Sequence, residues 1–273
     1  MNKPWKSVFS YGYTGTFMEW AEQRKIPYMS EEWKRLFQQI FRQYVKQIKE
    51  AGLTYEDFVF QTIDEAHGHL VDKLVETTPL LREVDPKVRF AMTIMAPRQE
   101  LERMAPHVDV WFNRNGQIWD LEFLAEERKK GKPIYSWHMS GDMVSPVLSW
   151  TRTYGWRAWR HDFDNISYFV FSKSAYDWQR DPIASRMIEA WRDTIEDWQY
   201  INTMEKELSA AAKRGVDKKR LDEVRAELDK LVETVIPKKD RYFPPETQET
   251  ADHIEAARVR IAEMILDVRA MKK

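Results

Sequence analysis

Two adjacent carboxylates, Asp64 and Glu65, close the apolar run Phe58–Ile63. Where a strand gives way to a loop, such a pair can divide acid/base work, one group delivering a proton while the other orients a substrate or stabilises charge. Charged residues also follow strands for solubility alone, so the surroundings must decide. His67 and His69 lie just downstream in Asp64-Glu65-Ala66-His67-Gly68-His69 and invite a metal reading. Helical zinc motifs, however, space their histidines four apart, whereas here the spacing is two with Gly68 between. No metal and no cofactor is therefore called for, and His67 is taken as a substrate-binding candidate. His138, ending Tyr135-Ser136-Trp137-His138, suits a hydrogen-bonding or positioning role, with Asp142 shortly after it.

Tryptophan is the unusual residue of this chain. Of twelve, nine (Trp111, Trp119, Trp137, Trp150, Trp156, Trp159, Trp178, Trp191 and Trp198) fall in its middle. Most are expected to pack in the core, since an indole brings a large apolar area with one N–H to satisfy. Trp111, Trp137 and Trp178 stand in or just after strand-like runs, where a flat ring can stack on the apolar face of a pyranose. With Asn113 at the end of its own run, these complete the candidates for binding a carbohydrate.

The elements that must position these residues alternate. After Phe58–Ile63 come strand-like runs at Val88–Met95, Val108–Asn113, Pro133–His138 and Ile166–Phe171, with helical patterns at Gly68–Val84, Pro97–Ala105 and Leu121–Lys130 between them. Alternation of this kind reads as parallel βα units, and runs apolar on both faces suit strands covered by helices. No glycine-rich phosphate loop follows any strand, while polar and aromatic residues gather after several of them, so a TIM-like (β/α) barrel, whole or partial, is favoured over a doubly wound sheet. Ser7–Tyr13 offers one further strand, with Gly12 and Gly15 more typical of a loop. Ser30–Ala51 is a long helix with Ser30 as N-cap, Glu31 and Glu32 in its first turn and Gly52 as its stop. Residues 1–200 then hold the barrel portion, short of the first strands of an eight-stranded barrel. Residues 201–273 hold a C-terminal helical hairpin. Within that appendage, Leu221, Val224, Leu228, Leu231 and Val232 mark one apolar stripe, and Ile254, Ala257, Val259, Ile261, Met264, Ile265 and Val268 another.

Composition excludes several partners. With 43 Lys+Arg against 44 Asp+Glu in 273 residues the formal charge is -1, which gives no electrostatic case for nucleic acid or an anionic membrane surface. No window approaches the apolar length of a spanning helix, and Met1–Val8 lacks the apolar core of a signal peptide. A soluble chain is expected. The absence of cysteine removes disulfides, thiolate metal sites and a cysteine nucleophile.

From about Phe58 to Tyr200 the chain resembles the C-terminal part of the family 123 glycoside hydrolases and the uncharacterised barrel proteins related to them. The resemblance is carried by Asp64-Glu65 after a strand, by Asp109-Val110-Trp111, and by Glu126–Tyr135. It continues through Ser149–Gly155 and Ser185-Arg186 to Trp191-Arg-Asp-Thr-Ile-Glu-Asp-Trp-Gln-Tyr200, which is similar to the family's Arg-x-Gly-Ile-Glu-Asp-Tyr-Glu-Tyr helix. Thr194 stands where the family usually has Gly, Trp198 where it has Tyr, and Ala66 where Pro commonly follows the acidic pair. The resemblance implies a retaining β-N-acetylgalactosaminidase working by substrate assistance, with Glu65 protonating the leaving oxygen and Asp64 orienting the 2-acetamido group. The rival arrangement, an Asn-Glu acid with a separate Glu nucleophile about 5 Å away, fits less well. Asp64 replaces that Asn, and Tyr135–Asp142 ends without a Glu.

Because the early strands are short in number, a second expectation stands beside the first: a barrel fragment or subunit, completed by self-association or by a partner chain that covers its strand edges. A carbohydrate-binding barrel without turnover is the third.

Overall fold

A computed structural model of the chain describes residues 7–10, 13–114, 120–139, 147–169, 186–236 and 248–272. They fall into two compact units, the first running to Arg114 and taking in 120–135, the second made of the residues from Ser136 onward.

In the first unit the strands pair in parallel. β1 (Ser7–Ser10) lies beside β2 (Phe58–Gln61), with Ser7 opposite Phe58 and Ser10 opposite Gln61. A parallel bridge between Phe60 and Phe90 leads from β2 toward β3 (Ala91–Ile94), which pairs with β4 (Val110–Arg114) from Ala91–Val110 to Ile94–Asn113. The Trp111 N–H donates to the Pro133 carbonyl at 3.1 Å, just ahead of β5 (Ile134–Met139). Asp109 stitches this arrangement at the start of β4: one carboxylate oxygen accepts from the Phe90 N–H at 2.8 Å and from the Arg82 guanidinium at 2.8 Å.

The helices of this unit form for reasons visible in their residues. α2 (Glu31–Glu50) is capped by the Ser30 hydroxyl, which accepts from the Trp33 N–H at 3.2 Å, while Glu31 and Glu32 meet the positive end of the helix dipole. Its buried residues Trp33, Phe37, Phe41, Val45 and Ile48 recur every three or four positions and make one stripe. That stripe packs with Phe58 and Phe60 of β2, Leu81 of α3 (His69–Val84), and Val88 and Phe90. Phe41 meets the Phe60 ring edge-on at 5.1 Å, and Trp33 stacks on Phe37 at 4.7 Å. α1 (Tyr13–Gln23) occupies a stretch the glycines mark as loop. Gly15 has open space about it, and Phe17 and Ala21, four apart, are drawn into the same core, so tertiary burial overrides local propensity. α4 (Arg98–Met104) and α5 (Leu121–Lys129) complete the unit.

Among its described residues the second unit contains β6 (Asn165–Phe169) and the helices α6 (Val147–Arg160), α7 (Arg186–Lys213), α8 (Lys218–Val235) and α9 (Gln248–Ala270). Trp156 of α6 shares one core with Ile201, Met204 and Leu208 of α7, Leu228, Val232 and Val235 of α8, and Ile254, Ile261 and Val268 of α9. Val259 is a correction to the expected stripe. It is 58% exposed, because two residues before Ile261 a helix has turned to its opposite face. α7 carries the acid of the Trp191–Tyr200 motif, and α6 supplies partners for it. The fully buried Asp197 carboxylate accepts from Trp156 Nε1 at 3.2 Å and from Arg152 at 3.3 Å, with Arg258 at 3.5 Å. The same crossing brings Gly155 against the α7 backbone: a Cβ there would lie 2.6 Å from the Thr194 carbonyl oxygen and 3.1 Å from Trp198 Cβ.

These pairings establish an α/β architecture with parallel strands and a helical C-terminal part. No pairing that closes the strands into a barrel is seen among the described residues, so the barrel expectation does not stand as a finding. Gly155→Ala, by forcing α6 and α7 apart, is expected to destabilise the chain by about 1–3 kcal/mol, measured as a lowered urea midpoint at unchanged slope.

Candidate active site

The end of β2 is held on both sides. Thr62 and Ile63 are buried, and the Thr62 carbonyl accepts from the Thr14 N–H at 3.3 Å; three residues after Ile63, Ala66 is fully buried. Between these anchors Asp64 and Glu65 are each half-buried. The chain turns sharply between them, because Glu65 takes the left-handed conformation with φ 47°. A residue with a Cβ occupies that region at a cost of about 1–2 kcal/mol, and strain of this kind concentrates at functional sites. It also interrupts the alternation by which neighbouring strand residues face opposite ways. The His67 ring closes the turn, its Nδ1 lying 2.7 Å from the Glu65 carbonyl oxygen. The Gly68 N–H, ahead of α3, donates to Glu100 of α4 at 3.1 Å.

Asp64 is oriented from below. Gln61 Nε2 donates to Asp64 Oδ1 at 2.7 Å and to Thr93 Oγ1 at 3.0 Å, and the Thr93 hydroxyl lies 3.5 Å from the same carboxylate oxygen. Gln61 and Thr93 are both buried. Asp64 Oδ2 accepts no hydrogen bond among the described residues. In the sequence both supporting residues stand inside apolar runs and do not declare themselves as site residues. The available signal was an amide and a hydroxyl inside two otherwise apolar strands, where a buried polar group needs a partner.

The other candidates fare unevenly. His67 is exposed beside the turn. Asn113 is fully buried at the end of β4, opposite Ile94 of β3. Trp137 is a half-buried residue of the second unit. Of His138 the structure describes the backbone within β5 only, and Asp142 and Trp178 lie outside the described residues. Trp111 is a correction. It is fully buried, meets Phe123 of α5 edge-on at 5.1 Å, and donates from Nε1 to Glu127 at 3.1 Å, so it has no ring face open to a sugar. The reason is strand alternation: Trp111 pairs with Met92 and turns toward the covering helix, whereas the next residue, Phe112, meets Tyr135 instead.

The partner of Trp111 is an unforeseen buried acid. Glu127 also accepts from Lys130 at 2.5 Å and Lys132 at 2.6 Å. Burial alone would push its carboxyl up, but these two ammonium groups and the indole N–H outweigh burial and hold it below the usual glutamate range. Glu127 therefore serves as a fixed anion tying α5 to β4.

Comparison with known proteins bears on the fold. No family model matches the chain, and no curated protein matches it. Among solved structures, the chain is similar to a family 123 glycoside hydrolase from Clostridium perfringens, described for glycolipid glycan hydrolysis: identity is 11%, the TM-score is 0.54, and the match covers 88% of this chain and 46% of that one. The chain thus spans about half the length of that protein. A hyperthermophilic endo-β-1,4-glucanase is matched at 13% identity and a TM-score of 0.42, over 68% of this chain and 71% of that one. The first likeness shows a glycoside-hydrolase-like fold.

Two outcomes are expected. Glu65→Gly relieves the left-handed strain, so its thermal midpoint should equal or exceed the parent's, although glycine ordinarily costs backbone entropy; a clearly lower midpoint would mean that the Glu65 side chain itself stabilises the turn. Glu127 stabilises the fold fully above the ordinary glutamate pKa, about 4.3, and loses that contribution as pH falls through its lower folded value. In urea titrations at pH 7 and at pH 3, Glu127→Gln should therefore be less stable than the parent at pH 7 and show a smaller drop between the two.

Proposed function

We propose that the chain is a glycosidase-like protein acting on β-linked 2-acetamido sugars by substrate assistance, with Glu65 as general acid and Asp64 as the group that orients the acetamide. The observation that carries the reading is the acidic pair itself: two half-buried carboxylates at the C-terminal end of a parallel strand, separated by a strained turn, in a fold similar to that of a family 123 glycoside hydrolase.

The chemistry asks for two different groups. As the sugar's acetamido carbonyl oxygen attacks the anomeric carbon, the bond to the glycosidic oxygen breaks and Glu65 gives that oxygen its proton. Positive charge then spreads over the oxazolinium ring formed from the acetamide, whose N–H donates to Asp64. Water next attacks the anomeric carbon from the face the leaving group vacated, Glu65 takes its proton, and the ring opens with net retention. Asp64 must accept a hydrogen bond throughout, while Glu65 alternates between acid and base. The asymmetry of the two environments suits this division, since Asp64 is held at one oxygen by Gln61 and Glu65 sits on the turn beyond it. Of the sugar-binding candidates, His67, exposed beside this turn, is the one proposed to contact the sugar together with the acidic pair.

Glu65→Gln with an aryl 2-acetamido-2-deoxy-β-galactoside is the direct test. Hydrolysis should fall by about 10²–10⁴-fold, with sugar binding by calorimetry retained. An unchanged rate would remove Glu65 from the role of acid. A parent protein that binds the sugar and does not cleave it would instead be a carbohydrate-binding barrel without turnover.

A further inference from the structure

We propose that Gln61 is a positioning residue that makes Asp64 present a single, defined oxygen to the substrate; this rests on the reading of Asp64 given above. A carboxylate has two equivalent oxygens and rotates about its last torsion in a broad, two-fold well. At Asp64 the equivalence is broken. Oδ1 takes the Gln61 amide N–H at 2.7 Å, with the Thr93 hydroxyl at 3.5 Å, and Oδ2 accepts none among the described residues, which leaves it to the substrate in this reading.

Gln61 suits this task by its chemistry. Its amide nitrogen carries two hydrogens, and the structure spends one on Asp64 and the other on Thr93 of the neighbouring strand, so two divergent N–H bonds hold the amide plane. The residue is buried and lies on a strand. A rigid element carries it three residues ahead of the group it holds. A glutamate in its place would set a second carboxyl against Asp64 and force the two to share a proton. A leucine would leave Oδ1 without its short donor. Thr93 braces the amide more than it touches the acid, since its contact with Oδ1 is long.

The consequence reaches the reaction. An acetamide attacks the anomeric carbon only when its carbonyl oxygen is aimed along the breaking bond, and the N–H on the opposite side of the amide is the handle by which the protein can aim it. Misplacement of such a handle by about an ångström costs on the order of 100-fold in rate. Gln61 therefore acts through Asp64 on kcat.

A double-mutant cycle tests this on the full chain, with the aryl 2-acetamido-2-deoxy-β-galactoside as substrate and its 2-methylthiazoline analogue, a stable mimic of the cyclic intermediate, as calorimetric ligand. Gln61→Met should lower kcat by about 10–100-fold with little change in KM, weaken the thiazoline by a similar factor, and add nothing further in an Asp64→Asn background. Gln61→Glu should displace the pH profile of kcat, which a residue that merely packs would leave in place. Thr93→Val should reproduce a smaller share of the Gln61→Met loss. Multiplicative losses from Gln61→Met and Asp64→Asn, or a Gln61→Met enzyme with unchanged kcat, would overturn the proposal while leaving Asp64 in its role. A Gln61→Met chain that fails to melt cooperatively shifts the decision to the Gln61→Glu profile and the Thr93→Val loss. An Asp64→Asn enzyme as active and as tightly bound to the thiazoline as the parent, or a parent that neither cleaves the galactoside nor binds the thiazoline, would sink the reading of Asp64 and this inference with it.

Discussion

The burial of the aromatic stripe of α2 governs what the first unit can do. Trp33, Phe37, Phe41, Val45 and Ile48 need a partner surface, and Phe58 and Phe60 of β2, with Phe90 beside them, supply it. A strand alternates, so committing Phe58 and Phe60 to the helix sends Val59 and Gln61 the other way. Slipping the register by one residue would reverse every face at once. The Gln61 amide, the Thr93 hydroxyl and the Asp64 carboxylate therefore meet because several large rings on the opposite side of the sheet leave them no alternative. Hydrophobic packing on one face is the positioning device for polar chemistry on the other.

Much of this was legible in the residues. Five strand-like runs correspond to β2–β6, the further strand at Ser7 to β1, and the Ser30 cap and the Gly52 stop (φ 85°) of α2 stand where read. These signals are local: apolar runs, a hydroxyl before a helix, a glycine after it. What was not legible depends on partners distant in sequence. α1 forms through Gly15 because Phe17 and Ala21 find a core made by residues up to Phe90. Trp111 read as a stacking surface because composition cannot tell which face of a strand a ring occupies; Glu127, sixteen residues away, supplies the answer by accepting its N–H. Closure of the strands into a barrel is likewise a long-range property. Alternation of elements predicts parallel pairing far better than it predicts whether the last strand meets the first.

The motifs that carry the family resemblance divide on inspection. Asp109 receives a backbone N–H and a guanidinium at the start of β4, and Asp197 receives an indole and two guanidinium groups between helices. Both are buried or half-buried acids whose loss would leave donors stranded. Gly155, another motif residue, is set by the closeness of two helix backbones. Most of what makes the chain recognisable is thus scaffold. The acidic pair after β2 is the part of the resemblance to which we assign chemistry, so likeness of fold rests on residues other than those proposed to carry activity.

The left-handed backbone at Glu65 has an implication for how this position changes over generations. Glycine and asparagine occupy such a conformation more comfortably than glutamate does. A glutamate there sits uphill in the free energy of the chain, and random substitution drains it toward the smaller residues unless something outside folding holds it in place. On the role proposed for Glu65, a lineage released from that role would lose this glutamate early, because the backbone here favours its replacement by the smaller residues. Under that proposal, the residue found at this turn is a gauge of whether a given descendant still performs the chemistry.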